Sequence, residues 1–241
     1  MRYAILGDIH GNLEALEAAL KSLRGLGIDR YLQVGDIVGY GADPGPCIQA
    51  MRDIGAVAVA GNHDWAVVGK LDASFFNTYA REAVEWTRSI LSVDDRRFLE
   101  SLPLKRRLDD DVELVHATLD QPEVFDYIQS YYEAQRSVDL MSAGACFVGH
   151  SHIPIAFLRR RTLTHTVATS FVVPADAKAL VNVGSVGQPR DEDARCAFAV
   201  YDTTTRAYEL HRAAYDVESA AAKIRRAGLP SALAERLRHG Q

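Results

Sequence analysis

Of the eight histidines in this 241-residue chain, five fall in short polar segments that each follow an apolar run. The segments are Gly7-Asp8-Ile9-His10-Gly11, Gly35-Asp36, Gly61-Asn62-His63-Asp64, His116 after Glu113-Leu114-Val115, and Gly149-His150-Ser151-His152. Asp, Asn and His all supply oxygen or nitrogen donors. Residues two apart in an extended segment point to the same side, so Asp8-x-His10 and His150-x-His152 can each aim two donors at one place. The glycines beside them let the chain turn sharply and let backbone approach an ion or a phosphate. Carboxylate, imidazole and amide donors without thiolates suit Mn²⁺, Fe or Zn²⁺. Taken singly, each piece has an ordinary structural explanation: a capped helix start, a loop, an Asx-turn, a core histidine. Their conjunction at the ends of five apolar runs points to a metal site.

Such donors converge only if the elements behind them do. Tyr3 to Leu6 reads as a short buried strand, and Asn12 caps a helix with Leu13, Leu16, Leu20 and Leu23 on one face, ended by Gly25 and Gly27. Tyr31 to Val34 is a second strand, and Asp43-Pro44 starts a helix running to about Asp53. Val57 to Ala60 is a third strand. This repetition implies a largely parallel sheet with helices packed on it, and ligand sites in such sheets lie outside the carboxyl ends of the strands.

Helices are expected over Tyr79–Leu91 and Asp94–Leu102, the second stopped by Pro103. Strands return at Val112–Val115, Cys146–Val148, Ile155–Leu158, Ala179–Val183, Ala197–Tyr201 and Ala207–His211, the last two as a hairpin around Thr203-Thr204. Strands without intervening helices suggest a second, mixed or antiparallel sheet. Helical patterns over Val217–Arg226 and Ser231–Arg238 close the chain. No linker or internal repeat interrupts it, so one domain over residues 1–241 is expected.

Composition excludes several classes. A hydrophobic fraction of 48% and a charged fraction of 24% are those of an ordinary globular protein. A net charge of −5 argues against stable nucleic-acid binding. Cys47, Cys146 and Cys196 form no CxxC pair, which suggests neither a disulfide framework nor a cysteine zinc site and fits a reducing, cytoplasmic compartment. No apolar run reaches membrane-spanning length, so no membrane association is expected.

Asp8-Ile9-His10, Gly35-Asp36, Gly61-Asn62-His63-Asp64, His116 and Gly149-His150-Ser151-His152 resemble the five blocks of the calcineurin-like metallophosphoesterases, above all the stand-alone phosphodiesterase-like branch of bacteria and archaea. Asn182-Val183-Gly184-Ser185-Val186-Gly187-Gln188-Pro189-Arg190 extends the likeness. The resemblance implies an α/β (α+β) fold, a four-layer αββα sandwich of two mixed sheets flanked by helices. It implies two divalent ions: Mn²⁺ first, with Fe, Zn²⁺ or Ni²⁺ as alternatives. Asp8, His10 and His152 would hold one ion and Asn62, His116 and His150 the other, with Asp36 bridging them. His63 stands in the place of the acid near the leaving group. A hydroxide generated between two such ions would attack phosphorus in line, and the site would be positive although the chain is acidic.

Two departures from the family pattern matter. The block around His116 usually reads His-Gly; here it is His116-Ala117-Thr118. The protein Ser/Thr phosphatases and dinucleoside tetraphosphatases carry Gly-Asp-x-x-Asp-Arg-Gly in the second block. Here Gly39 replaces the Asp that orients the catalytic His, and Tyr40 replaces the phosphate-binding Arg. A dianionic monoester thereby loses a bidentate clamp, so a small phosphodiester is the expected substrate. A nucleotide monoester or dinucleoside polyphosphate is the alternative, and a non-catalytic scaffold like the retromer subunit of similar fold a more distant one. Tyr40 and Arg190 are candidate substrate contacts. The aromatic segment from Asp120 to Tyr132 is either a lid over the substrate or core, and Arg159-Arg160-Arg161 reads as a solvated hairpin tip.

Overall fold

The computed structural model describes residues 1–108, 111–128 and 130–241. The chain begins β1 (Arg2–Leu6), α1 (Leu13–Leu23), β2 (Arg30–Gln33), α2 (Pro44–Asp53), β3 (Val57–Ala58), α3 (Asn62–Val67). A single 3-10 turn (Ala73–Phe75) leads to α4 (Thr78–Ile90) and α5 (Val93–Ser101). Then come β4 (Lys105–Leu108), β5 (Val112–Val115), α6 (Tyr131–Leu140), β6 (Ala145–Val148), β7 (Ile155–Arg159), β8 (Leu163–Thr166), β9 (Ser170–Val172) and β10 (Lys178–Asn182). The hairpin β11 (Cys196–Asp202) and β12 (Ala207–Ala213) precedes α7 (Val217–Arg226) and α8 (Ser231–His239).

Two six-stranded mixed sheets result, ordered β3-β2-β1-β11-β12-β9 and β4-β5-β6-β10-β7-β8. Side chains alternate across each strand, and the alternation sorts the cores. Tyr3, Ile5, Ala199 and Tyr201 from the first sheet meet Leu114, Phe147, Ala179 and Val181 from the second in an inter-sheet core. Ala4, Leu6, Phe198 and Val200 point the other way, into a core shared with α1, α2 and α5. Cys146, Val148 and Leu180 pack on α6. The α/β fold with two mixed sheets between helical layers is therefore the observed one.

The local readings hold closely where a cap or a clear period exists. Asn12 accepts the Ala15 N–H at 3.1 Å and starts α1 as expected. Asp43 does occupy the N-cap of α2, but its side chain makes no cap bond and instead accepts from Lys223 Nζ at 2.7 Å. The third strand spans only Val57–Ala58. The sheet assignment needs one correction. The hairpin β11–β12, expected in a second sheet, joins the first, with β1 and β11 antiparallel in the register Ile5↔Ala199. The first sheet is thus parallel on one side of β1 and antiparallel on the other. All three cysteines are free and buried. The Arg159–Arg161 run sits at the β7–β8 turn, where Arg159 pairs with Asp139 and Arg160 with Asp176.

Candidate metal centre

Each donor sits just past the carboxyl end of a strand, or in the turn that follows it. Asp8 and His10 follow β1, Asp36 follows β2, and Asn62 and His63 open α3 after β3. His116 follows β5, and His150 and His152 follow β6. The first five positions come from one sheet and the last three from the other; the two sheets therefore meet at this end. His10, Asp36, Tyr40, His150 and His152 all have positive φ, between 50° and 68°. Non-glycine residues in that region cost energy and persist where surrounding structure over-determines them.

The imidazoles are oriented by main-chain carbonyls. His10 Nδ1–H donates to Val38 O at 3.0 Å, His116 Nδ1–H to Val34 O at 2.8 Å, and His152 Nδ1–H to Gln188 O at 2.6 Å. A carbonyl can only accept, so each ring spends a proton on Nδ1. In its neutral form each ring turns a bare Nε2 inward. Those bare atoms crowd together. His10 Nε2 lies 3.1 Å from His152 Nε2. His116 Nε2 lies 3.0 Å from Asn62 Oδ1 and 3.2 Å from His150 Nδ1. His10 and His152, both holding their proton on Nδ1, face one another with bare nitrogens that neither can satisfy and a cation between them would. Outer carbonyl partners of this kind are how metal-binding histidines are held.

Asp36 links the two halves. Its Oδ1 accepts the His63 N–H at 2.8 Å. Its Oδ2 stands 3.6 Å from His10 Nε2 and 3.4 Å from His116 Nε2. Asp8 lies 3.4 Å from His152 Nε2 and accepts the His150 N–H at 3.0 Å. The donors form three overlapping groups, Asp8/His10/His152, His10/Asp36/His63 and Asp36/His116/His150, with the atoms of each group within 4.8 Å of one another. The chemistry of this set, buried carboxylate and imidazole with no thiolate, fits hard or borderline divalent ions.

Charge follows the same geometry. Burial opposes ionisation of Asp8 and Asp36, yet the neighbouring histidines hold both carboxyls well below their usual range: chiefly His152 for Asp8, and His116 for Asp36. Burial also lowers His116, but Asp36 outweighs it and pushes the ring up to about 9. Burial and the charge on His116 push His150 down to about 3.

His63 has an unusual setting. Its Nδ1 is buried with no hydrogen-bond partner among the described residues. Gly39 has φ +95°, and a Cβ there would collide with that same Nδ1. Among the described residues no carboxylate hydrogen-bonds that nitrogen. Aromatic neighbours do: Tyr40 at 4.5 Å, His10 at 4.8 Å and Phe76 at 4.9 Å between ring centroids. Burial drives His63 down to about 4, against the pull of Asp36. Tyr40 is itself buried, and its hydroxyl accepts from Arg190 Nη2 at 3.4 Å. Arg190 Nη2 also donates to Gln188 Oε1 at 3.2 Å, while its buried Nε has no partner among the described residues.

A cleft of about 560 Å³ opens beside Asn62, His63 and His150, walled by Tyr40, Leu71, Phe75, Phe76, Asn77 and Ala80 and by Glu123, Val124, Phe125 and Tyr127. The segment from Asp120 to Tyr132 is therefore divided. Phe125 is buried against Trp65 and His116, and Tyr127 stacks on His150 at 3.9 Å. Tyr131 and Tyr132 begin α6, and Gln129 lies outside the described residues.

A family description, the calcineurin-like phosphoesterase superfamily domain, matches residues 1–206. The chain belongs to this superfamily. It is 37% identical over 238 residues to an uncharacterized protein of Methanocaldococcus jannaschii, covering 97% of this chain and 96% of that one. A metallophosphoesterase from Sphaerobacter thermophilus superposes with a TM-score of 0.87 at 35% identity, over 100% of this chain and 99% of that one. A hypothetical protein from Pyrococcus horikoshii superposes at 0.81 and 20% identity, over 100% and 98% of the two chains, which shows the shared fold.

In this phosphoesterase the fold gathers every donor named from the sequence, and tertiary contacts that the sequence does not show hold them. Asp64, last residue of the Gly61-Asn62-His63-Asp64 block, has a role that its type and spacing do not reveal. Its buried carboxylate accepts the N–H groups of Asp36 at 2.8 Å, Gly61 at 3.0 Å and Val38 at 3.2 Å, tying the second block to the third. Burial and the charge of Asp36 push it up to about 7, against those bonds. The carbonyls of Val34, Val38 and Gln188 were invisible because every residue carries one. The aromatic wall at Phe75-Phe76 could have been noticed as paired aromatics in an otherwise polar stretch.

Proposed function

We propose that this chain is a metal-dependent phosphodiesterase acting on small phosphodiesters. The observation that carries this is the placement of Asp36 Oδ2 between His10 Nε2 and His116 Nε2, two imidazoles whose Nδ1 protons are already spent on carbonyls. We assign Asp8, His10 and His152 to one ion, Asn62, His116 and His150 to a second, and Asp36 to both. Two divalent ions, Mn²⁺ before Fe, Zn²⁺ or Ni²⁺, would supply Lewis-acid polarisation of the phosphoryl group and a nucleophile at neutral pH. No covalent phospho-enzyme is required.

The residues then divide the work. His63 lines the cleft, and its Nδ1 is turned towards Gly39, so Nε2 is the atom assigned to the departing oxygen. Burial disfavours a proton on this ring; an anionic phosphate bound beside it would favour one. Tyr40 stands where a monoester phosphatase carries Arg. Arg190 lies behind Tyr40 and holds Tyr40 and Gln188 through one nitrogen, so it does not offer a free fork to a dianion. Arg190 is assigned to the substrate through Tyr40, whose hydroxyl it holds at the cleft wall.

Residues 1–241 are read as one such domain. Three buried free cysteines support a reducing, cytoplasmic setting. No helix among the described residues is long and apolar enough to cross a membrane, and the acidic net charge supports small substrates over stable nucleic-acid binding.

Charge-assisted hydrogen bonds are worth roughly 1.5–3 kcal/mol, so a site lacking the clamp should favour the diester by about tenfold or more. The test compares kcat/KM for bis(p-nitrophenyl) phosphate and p-nitrophenyl phosphate in Mn²⁺. Better turnover of the monoester would move the assignment to a nucleotide monoesterase. Inactivity on a panel of diesters, monoesters and dinucleoside polyphosphates, at full metal content, would favour a scaffold.

A further inference from the structure

The cleft beside the donor cluster has a composition of its own. No Lys or Arg lines it among the described residues, and its one charged wall residue is Glu123. Phe75 is 86% exposed, Val124 51% and Tyr127 43%. Exposed apolar side chains scattered singly need no explanation. Here they gather around one opening whose floor is Asn62, His63 and His150. Its volume falls within the roughly 300–1,000 Å³ typical of small-molecule sites.

We infer that this cleft holds a planar, uncharged ring joined to the scissile phosphate, and that the substrate is a nucleoside phosphodiester whose base lies between the Phe75-Phe76 segment and the Val124–Tyr127 segment. The inference rests on the phosphodiesterase reading and names its substrate class. Three features select a base over other occupants. Tyr127 stacks on His150 with the planes 24° apart, and with nearly half its surface exposed it offers a flat platform. Bases stack on such rings whatever their identity. Glu123, exposed at the cleft wall, supplies an acceptor for base N–H or ribose hydroxyl groups, and an acyl chain has no donor to offer it. A further phosphate would meet one carboxylate and no cation, which disfavours nucleoside polyphosphates.

The test uses two dialkyl diesters that share a methyl ester, methyl adenosine 5′-phosphate and methyl glyceryl phosphate, with decyl methyl phosphate as a third arm. Rates are measured by chromatography with the Mn²⁺-loaded protein. Base stacking predicts a kcat/KM preference of about tenfold or more for the adenosine diester. Phe75→Ala should cut that ratio severalfold, and Phe75→Trp should restore it; Phe75 is so exposed that neither change threatens the fold. In parallel, adenosine itself is titrated calorimetrically into both variants, which needs no turnover. Equal hydrolysis of the adenosine and glyceryl diesters overturns the base site and leaves the phosphodiesterase standing. A preference for the decyl diester also overturns it and assigns the cleft to an acyl chain. If no diester is hydrolysed but adenosine binds and Phe75→Ala weakens it, the base site stands and the phosphodiesterase reading falls. Absence of both hydrolysis and binding overturns the two together.

Discussion

Asp36 Oδ1 is committed to the His63 N–H, and only Oδ2 faces the two histidine groups. Asn at this position can keep the first bond through its amide oxygen but brings no charge to the second place. Asp36→Asn should therefore leave the fold intact, lower bound metal by at least one ion and reduce kcat by about 10²-fold or more, the scale of losing a principal electrostatic group. Elemental analysis, circular dichroism and rates check this together; full metal content with near-normal turnover would refute the shared-ligand assignment. His63 calls for a different comparison. General acid catalysis is worth about 10²–10⁴-fold, but only where the leaving oxygen needs a proton. His63→Ala should cost far more on an alkyl diester than on a nitrophenyl diester, with metal content unchanged. Equal losses on the two substrates, with chemistry rate-limiting, would make His63 a support for the Asn62 turn instead.

At the scale of elements, Asp64 is the fastener between the turn after β2 and the start of α3. An amide cannot accept three N–H bonds from one side without turning its own NH₂ against a donor. Asp64→Asn should destabilise by about 1–3 kcal/mol, the cost of an unsatisfied buried donor, and weaken metal binding because Asp36 hangs from the same turn. Thermal melting with a metal titration decides it; a wild-type Tm and affinity would show the fastener carries no weight. The same scale shows what the sequence could tell. β1 and α1 were legible because burial alternates in one and Asn12 caps the other. β4, β8 and β9 were not, being short edge strands with largely exposed residues and little apolar pattern. The pairing of β1 with β11 joins residues almost two hundred positions apart, and nothing local encodes it. The donors could be read because strand ends display rare side chains in fixed blocks. The carbonyls that aim them, and the rings that replace a carboxylate around His63, depend on tertiary contacts that no spacing expresses.

For the whole molecule, the centre lies where the two sheets meet. From the first sheet come Asp8, His10, Asp36 and Asn62; from the second come His116, His150 and His152. Protein contacts already cross between the sheets there: Val34 O accepts from His116, and Asp8 accepts from the His150 N–H. Ions at this place would join the sheets at their carboxyl ends, and the unfolded chain could not reproduce that donor set. Binding to the native state alone stabilises it by RT ln(1 + [L]/Kd), about 4 kcal/mol at a thousandfold excess over Kd. In a chain of this length each kcal/mol shifts Tm by roughly 2–4 °C. Stripping metal with a chelator should thus lower Tm by on the order of 10 °C, with recovery on adding Mn²⁺. Asp36→Asn should show a smaller chelator effect, because part of the linkage is already gone. Calorimetric scans of protein whose metal content has been measured before and after chelation check both statements. An unchanged Tm after verified metal loss would mean that the protein contacts alone hold the sheet ends together, and that the ions serve chemistry without serving the fold.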